Sequence, residues 1–68
     1  MRVKSSAIKN VSYDETTHTL QITFKGNGRS YQYFDVSKRT FNRMLASESI
    51  GGFVNRWITP KYDYMPVE

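Results

Sequence analysis

The chain has 68 residues, no cysteine and a formal net charge of +4. We therefore expect a single domain over residues 1–68 with no disulfide framework and no thiolate metal site. No apolar run is long enough to span a membrane and the N-terminus lacks the apolar segment of a signal peptide, so we expect a cytoplasmic protein with no membrane partner. The basic balance favours polyanionic partners.

The first predicted strand covers residues 7–13, AIKNVSY, in which Val11 and Tyr13 alternate inward. Ile8 is out of phase with them, so we expect a bulge just after it. The turn-forming run DETT then leads to a second strand. Pairing Tyr13 with Leu20 places the apolar faces of the two strands on the same side.

Residues 20–36, LQITFKGNGRSYQYFDV, predict a β-hairpin, because apolar and polar residues alternate on both sides of Asn27-Gly28. Asn-Gly favours a two-residue type I′ turn. That turn predicts two cross-strand pairs on the apolar face: Phe24 with Tyr31, and Ile22 with Tyr33. A four-residue loop keeps the same faces, whereas a three-residue loop would turn both tyrosines outward. Phe34 is the one large apolar side chain expected on the polar face.

The first predicted helix follows the hairpin and can be capped by Asp35 or Ser37. Its apolar positions recur at helical spacing: Val36, Thr40, Phe41, Met44 and Leu45. Its outward face is basic, and no acidic residue lies between Asp35 and Glu48.

The second predicted helix has Ser49 as its N-cap and ends before Pro60. Its apolar stripe has five members: Ile50, Phe53, Val54, Trp57 and Ile58. Gly51-Gly52 in the first turn predicts that it is short. We expect Trp57 to anchor this helix to the sheet together with Phe53, and Asn55 to make a buried structural hydrogen bond. Residues 61–68 are expected to form an extended tail.

These elements predict an α+β domain with a three-stranded antiparallel β-meander and two short helices packed on one face, in the order β-β-β-α-α. Each element has one apolar side, and covering the sheet with the helices buries all of them. The other face of the sheet stays open to water.

The chain resembles the KTSC domain, which is named for its occurrence at the C-terminus of some lysyl-tRNA synthetases and is also found as small stand-alone proteins. The resemblance covers nearly the whole chain. It rests on an ordered set of motifs: Ser5-Ser6-x-Ile8, Tyr13-Asp14, Leu20-x-Ile22-x-Phe24, Tyr31-x-Tyr33-Phe34-Asp35-Val36, Gly51-x-Phe53-x-Asn55-x-x-Ile58 and Tyr62. Ser37 stands where the family often has proline and Val54 where it often has phenylalanine. The family carries no established activity, and the synthetase context suggests RNA binding.

Neither catalysis nor a metal site is expected from these residues. His18 is the one histidine, the acidic residues are scattered, and no nucleophile has an evident general base. Ser49-Ile50-Gly51-Gly52 lacks the context of a nucleotide-binding loop. We therefore expect a non-enzymatic binding module without a small-molecule cofactor.

Two classes of binding function remain open. The first is nucleic-acid binding, RNA more than DNA, through a basic helix face and nearby residues. Its candidate residues are Lys38, Arg39, Arg43, Arg56, Lys61 and Phe34. Tyr31 and Tyr33 could also stack on bases, although the hairpin faces favour a role in the core. The second class is a protein-interaction or adaptor module that uses the open sheet face or an edge strand.

Overall fold

Four antiparallel strands form one sheet in the order β1-β2-β3-β4 in the computed structural model, which describes residues 3–67. The strands are β1 Ile8–Asp14, β2 Thr19–Phe24, β3 Ser30–Tyr33 and β4 Tyr64–Val67. The predicted α+β class is confirmed. The predicted domain also includes residues 1, 2 and 68, which lie outside the described residues.

The predicted count of three strands is wrong, because the C-terminal tail pairs with β3 as a fourth strand. Tyr64 lies opposite Tyr33, and Pro66 lies opposite Tyr31. Proline cannot donate a ladder hydrogen bond and is tolerated in a sheet mainly at an edge. Pro66 therefore makes the tail look unlike a strand in the sequence. The proline is tolerated because β4 is an edge strand.

The pairing of β1 with β2 confirms the predicted register, with Val11 opposite Ile22 and Tyr13 opposite Leu20. The register shifts between Ile8 and Asn10, which confirms the bulge. The bulge corrects the phase of the strand, so that Ile8 is buried like Val11 despite the odd spacing between them.

The β2–β3 hairpin has the predicted faces but a different register. Ile22 pairs with Tyr31 and Leu20 with Tyr33, so the two-residue loop and its cross-strand pairs are wrong, and the loop comprises residues 25–28. A type I′ turn needs positive φ at both central residues, and here only Gly28 has it, at 68°. The shift is two residues, which preserves the faces, and Tyr33 is 3% exposed.

The first helix, α1, spans Lys38–Ala46 and is capped by Ser37, whose Oγ accepts the Thr40 N–H at 3.1 Å. Asp35, the other candidate cap, instead adopts a left-handed conformation with φ of 59°. Phe41 and Met44 are buried, as their spacing predicts, and the basic residues of α1 are exposed.

The second helix is short and ends before Pro60, as predicted, but only its first four residues are α-helical. Helix α2 spans Ile50–Phe53, with Ser49 as its cap, and continues as a π-helical segment, Val54–Ile58. The Thr59 N–H donates to the Val54 carbonyl at 2.9 Å, the i→i+5 bond of a π turn.

The π-helical segment changes which side chains face the sheet. A π turn holds more residues than an α turn, so Ile58, not Trp57, completes the turn that starts at Val54. Val54 and Ile58 are buried, whereas Trp57 is 52% exposed. The expected anchoring role of Trp57 is therefore wrong, and Phe53 packs only partly against the core.

The core lies between the sheet and the two helices. Its buried members are Ile8, Val11, Leu20, Ile22, Tyr33, Val36, Phe41, Met44, Val54 and Ile58. Tyr13 ties the sheet to α1, because its ring stacks on Phe41 at 4.8 Å between ring centroids and its hydroxyl donates to the Val36 carbonyl at 2.6 Å. The sheet is thus joined to α1 by packing and to the segment before α1 by a hydrogen bond.

Replacing Gly28 by alanine should lower the free energy of unfolding by about 1–2 kcal/mol, the usual cost of left-handed backbone for a residue with a Cβ. Gly26→Ala is the matched control, because Gly26 has no positive φ and a Cβ there would meet nothing within 4 Å. Urea unfolding of both variants measures the difference. Equal stability of the two variants would contradict the loop geometry.

Stability should fall at alkaline pH. Burial raises the pKa of both Tyr13 and Tyr33 above the ordinary value of 10.0; the charge of Glu15 adds to the effect at Tyr13, and a hydrogen bond with Thr59 opposes it at Tyr33. The unfolded chain then ionises first, so the tyrosine contribution is complete below about pH 10 and is lost as the pH rises through the folded-state values. Urea midpoints measured from neutral pH upward should show this loss, and Tyr13→Phe should make it shallower.

Candidate nucleic-acid interface

The largest exposed aromatic ring of the described residues, Trp57, lies beside cationic side chains. With them it forms an open cleft of about 460 Å³ between α1 and the second helix. We call it the cationic cleft and define it by its lining: Thr40, Arg43, Phe53, Trp57, Lys61 and Tyr62. The volume is in the range of small-ligand sites.

Separate elements bring these side chains together. Arg43 comes from the last turn of α1, where a cation also interacts favourably with the helix dipole. Trp57 comes from the π-helical segment, and Lys61 follows in the turn where the Tyr62 N–H donates to the Ile58 carbonyl at 3.1 Å. The π turn therefore supplies the site with its indole ring.

The cationic cleft is positively charged without a compensating acid. Arg43 and Lys61 are both exposed, and neither makes an ion pair with any residue of the described range 3–67. Aromatic rings and two cations on one surface can bind a ligand that is both aromatic and anionic, by stacking and by charge.

Arg56 lies next to this cleft. It lines a flanking groove that shares Phe53 and Trp57 with the cationic cleft. Trp57 therefore lines two adjoining grooves, each of which also has a cationic side chain in its lining. Of the predicted candidates, the structure brings Arg43, Arg56 and Lys61 together.

The other predicted candidates lie elsewhere. Lys38 makes an ion pair with Glu15 of the β1–β2 turn, at 2.6 Å, an acid that is distant in sequence. Arg39 is exposed on α1 but lines neither the cationic cleft nor the flanking groove. Phe34 is half-buried, and its backbone N–H donates to the Asp63 carbonyl at 2.9 Å, so it extends the contact between β3 and the C-terminal segment.

A second cleft, of about 300 Å³, lies on the other side of the π-helical segment. We call it the tyrosine cleft; its lining is Phe24, Tyr31, Tyr33, Asn55, Thr59 and Tyr64, with Asn27 at the hairpin loop. Its rings contact one another, with Tyr64 at 5.8 Å from Tyr31 and 5.5 Å from Tyr33 between ring centroids. Tyr64 is nevertheless 53% exposed.

The expectation for Asn55 was also wrong. It is exposed and lines the tyrosine cleft, where we expected a buried structural hydrogen bond. Sequence reasoning also missed Trp57, Tyr62 and Tyr64 as site residues. The sequence did show Tyr62 and Tyr64 as two aromatic residues in the tail, but nothing local indicated which cleft each would line.

Within residues 3–67 no three His, Cys, Asp or Glu side chains come together to hold a metal ion. No helix of this range is long and apolar enough to cross a membrane. His18 is exposed, with a left-handed φ of 55° in the turn before β2.

Comparison with known proteins places this architecture in a family. The KTSC domain model matches residues 4–62, so the chain belongs to the KTSC domain family. It is similar to a protein of Tsukamurella paurometabola, with 40% identity over 60 residues, 88% of each chain. The crystal structure of a KTSC domain protein from Yersinia pestis superposes with a TM-score of 0.94 at 29% identity, covering 100% of this chain and 94% of that one.

The fluorescence of Trp57 should resemble that of a solvent-exposed indole. Because 52% of the residue is exposed, emission should be red-shifted in native buffer and readily quenched by iodide, which the nearby cations attract. Unfolding in urea should then move the emission maximum little. A strongly blue-shifted native spectrum that resists iodide would contradict the exposed position.

Proposed function

We propose that this KTSC domain is a non-enzymatic module that binds single-stranded RNA through the cationic cleft. The observation that carries the proposal is the exposed ring of Trp57 with Arg43 and Lys61 beside it and Arg56 in the adjoining groove. Proteins that bind single strands combine stacking rings with cations that follow the backbone.

Unpaired bases suit this surface better than a duplex does. A duplex hides the faces of its bases, so Trp57 could contact only the backbone, whereas an unpaired base offers its whole face. Stacking contributes about 1–3 kcal/mol per base, and the cations supply phosphate contacts that do not depend on sequence. We therefore expect modest affinity and slight sequence preference.

The cation set is smaller than the sequence suggested. The ion pair with Glu15 offsets the charge of Lys38, and Arg39 lies outside the cleft and the groove. Three cations, Arg43, Arg56 and Lys61, then contact phosphates. For a single strand the counterion-release rule gives a log–log salt slope of about −2 for three contacts.

The test is binding of an oligouridylate, followed by Trp57 fluorescence at low salt. Arg43→Glu should weaken binding about tenfold or more, because it replaces a charged contact by repulsion. Arg39→Glu is the matched control: it makes the same charge change on the same helix, and screening should limit its effect to about threefold. Trp57→Ala should also weaken binding, while Trp57→Phe keeps part of the stacking. Because the chain has no second tryptophan, these two variants are compared with the unchanged protein by the fluorescence anisotropy of a dye-labelled oligouridylate.

Two results would overturn the proposal. One is no binding of single-stranded RNA at low salt with micromolar protein. The other is equal weakening by Arg39→Glu and Arg43→Glu, which would mean a diffuse charge effect. A matched DNA oligonucleotide shows whether the 2′-hydroxyl contributes.

A protein-interaction role is the second candidate, and it has one supporting observation. Met65 on edge strand β4 is 51% exposed and lies opposite Gln32, on the face of the sheet away from the helices. Exposed apolar side chains on an edge strand are typical of strand addition, although Pro66 removes one N–H from this edge. Such binding should survive Arg43→Glu and fail when Gln32 or Met65 is replaced.

A further inference from the structure

The two clefts share a wall. The π-helical segment presents Trp57 to the cationic cleft and Asn55 to the tyrosine cleft, and Thr59 continues the tyrosine-cleft side. Asn55 and Trp57 are two residues apart, so their backbones lie within roughly 7 Å of each other. A ligand bound in one cleft therefore lies close to the other cleft.

The lining of the tyrosine cleft differs chemically from that of the cationic cleft. None of its seven lining residues is charged, although the chain as a whole carries +4. It offers the exposed ring of Tyr64, the ring of Tyr31, and the amide and hydroxyl groups of Asn55 and Thr59. Such a set can stack on a flat neutral ring and hydrogen-bond its edge, but it has no cation for a phosphate.

A nucleobase is a neutral aromatic ring with donors and acceptors along its edge. We infer that the tyrosine cleft is a second base-binding site, and that one single strand crosses the π-helical segment with a base at Trp57 and a later or earlier base at Tyr64. This inference rests on the proposed RNA binding. It further predicts that the ligand must have a minimum length to reach both clefts. The phosphates between the two bases lie over the cationic side, where Arg56 is available.

The contacts of Tyr64 fit this role. Its ring meets Tyr31 nearly at right angles, with an interplanar angle of 80°, and meets Tyr33 at 37°. These contacts fix the ring from one side, while 53% of the residue stays exposed. A ring that is held in place and still accessible is a preorganised stacking surface, because little side-chain freedom remains to be lost on binding.

The experiment is a length series of oligouridylates, from two to about eight nucleotides, bound to the full chain and followed by Trp57 quenching. Affinity should rise between the shortest ligands and those of about four nucleotides, beyond the gain expected from added phosphates alone. Tyr64→Ala should remove roughly tenfold of the affinity for the longer ligands and leave the dinucleotide unchanged.

Met65→Ala is the matched control. Met65 follows Tyr64 on β4, is similarly exposed at 51%, and lies on the opposite face of the sheet, so its replacement should change no affinity. Asn55→Ala is a second variant at an exposed helical position where the fold should tolerate alanine, and it should reduce the same length-dependent gain.

The outcomes separate the two levels of the proposal. If no oligonucleotide of any length quenches Trp57, the proposed function itself fails. If oligonucleotides bind but Tyr64→Ala weakens short and long ligands equally, or weakens neither, the second site is overturned. A length-dependent loss in Tyr64→Ala and Asn55→Ala that is absent in Met65→Ala supports it.

Discussion

The fold depends on covering one apolar sheet face with very few helical residues. The helices contribute only Phe41, Met44, Val54 and Ile58 to the buried core, Val36 comes from the segment before α1, and the sheet contributes the rest. A domain of this size buries little apolar area, so the large rings at the edge of the core contribute an important part of it. Tyr13 shows how: one side chain stacks on α1 and also satisfies the carbonyl of Val36.

The π turn affects both the packing of the core and the formation of the cationic cleft. Val54 and Ile58 are buried at the two ends of this turn, and Trp57, which lies between them in sequence, is at the surface. Gly51, in α2 three residues before the π-helical segment, is buried, and a Cβ at that position would come within 3.1 Å of the Ala7 side chain. Single π turns inside helices are frequent at functional sites.

The tyrosines divide into structural and accessible members along one face of the sheet. Tyr33 is buried under the helices, Tyr31 is half-buried beside it, and Tyr64 on the edge strand remains exposed. The helices end before they cover the β3–β4 side, which leaves the tyrosine cleft open between the sheet and the π-helical segment.

Local pattern alone determined much of this protein. The alternation in β1 and β2, the bulge after Ile8, the cap at Ser49 and the buried face of α1 all depend on neighbours in sequence, and the structure agrees with them. The KTSC resemblance was also readable, because its motifs are spread along the chain in order. The faces of the hairpin tyrosines were predictable for a simple reason: every even loop length gives the same faces.

Tertiary structure decided the remainder, since it depends on residues that are distant in sequence. The tail became a strand only because β3 offered an unpaired edge, and Pro66 gives no local sign of it. The exposure of Trp57 follows from a backbone hydrogen bond that an apolar stripe does not specify. The grouping of Arg43 with Lys61, and the pairing of Lys38 with Glu15, arise where α1 meets the end of the second helix and the β1–β2 turn. Charge and composition limited the kind of ligand, and only the packing of the helices determined which cations share a cleft with an aromatic ring.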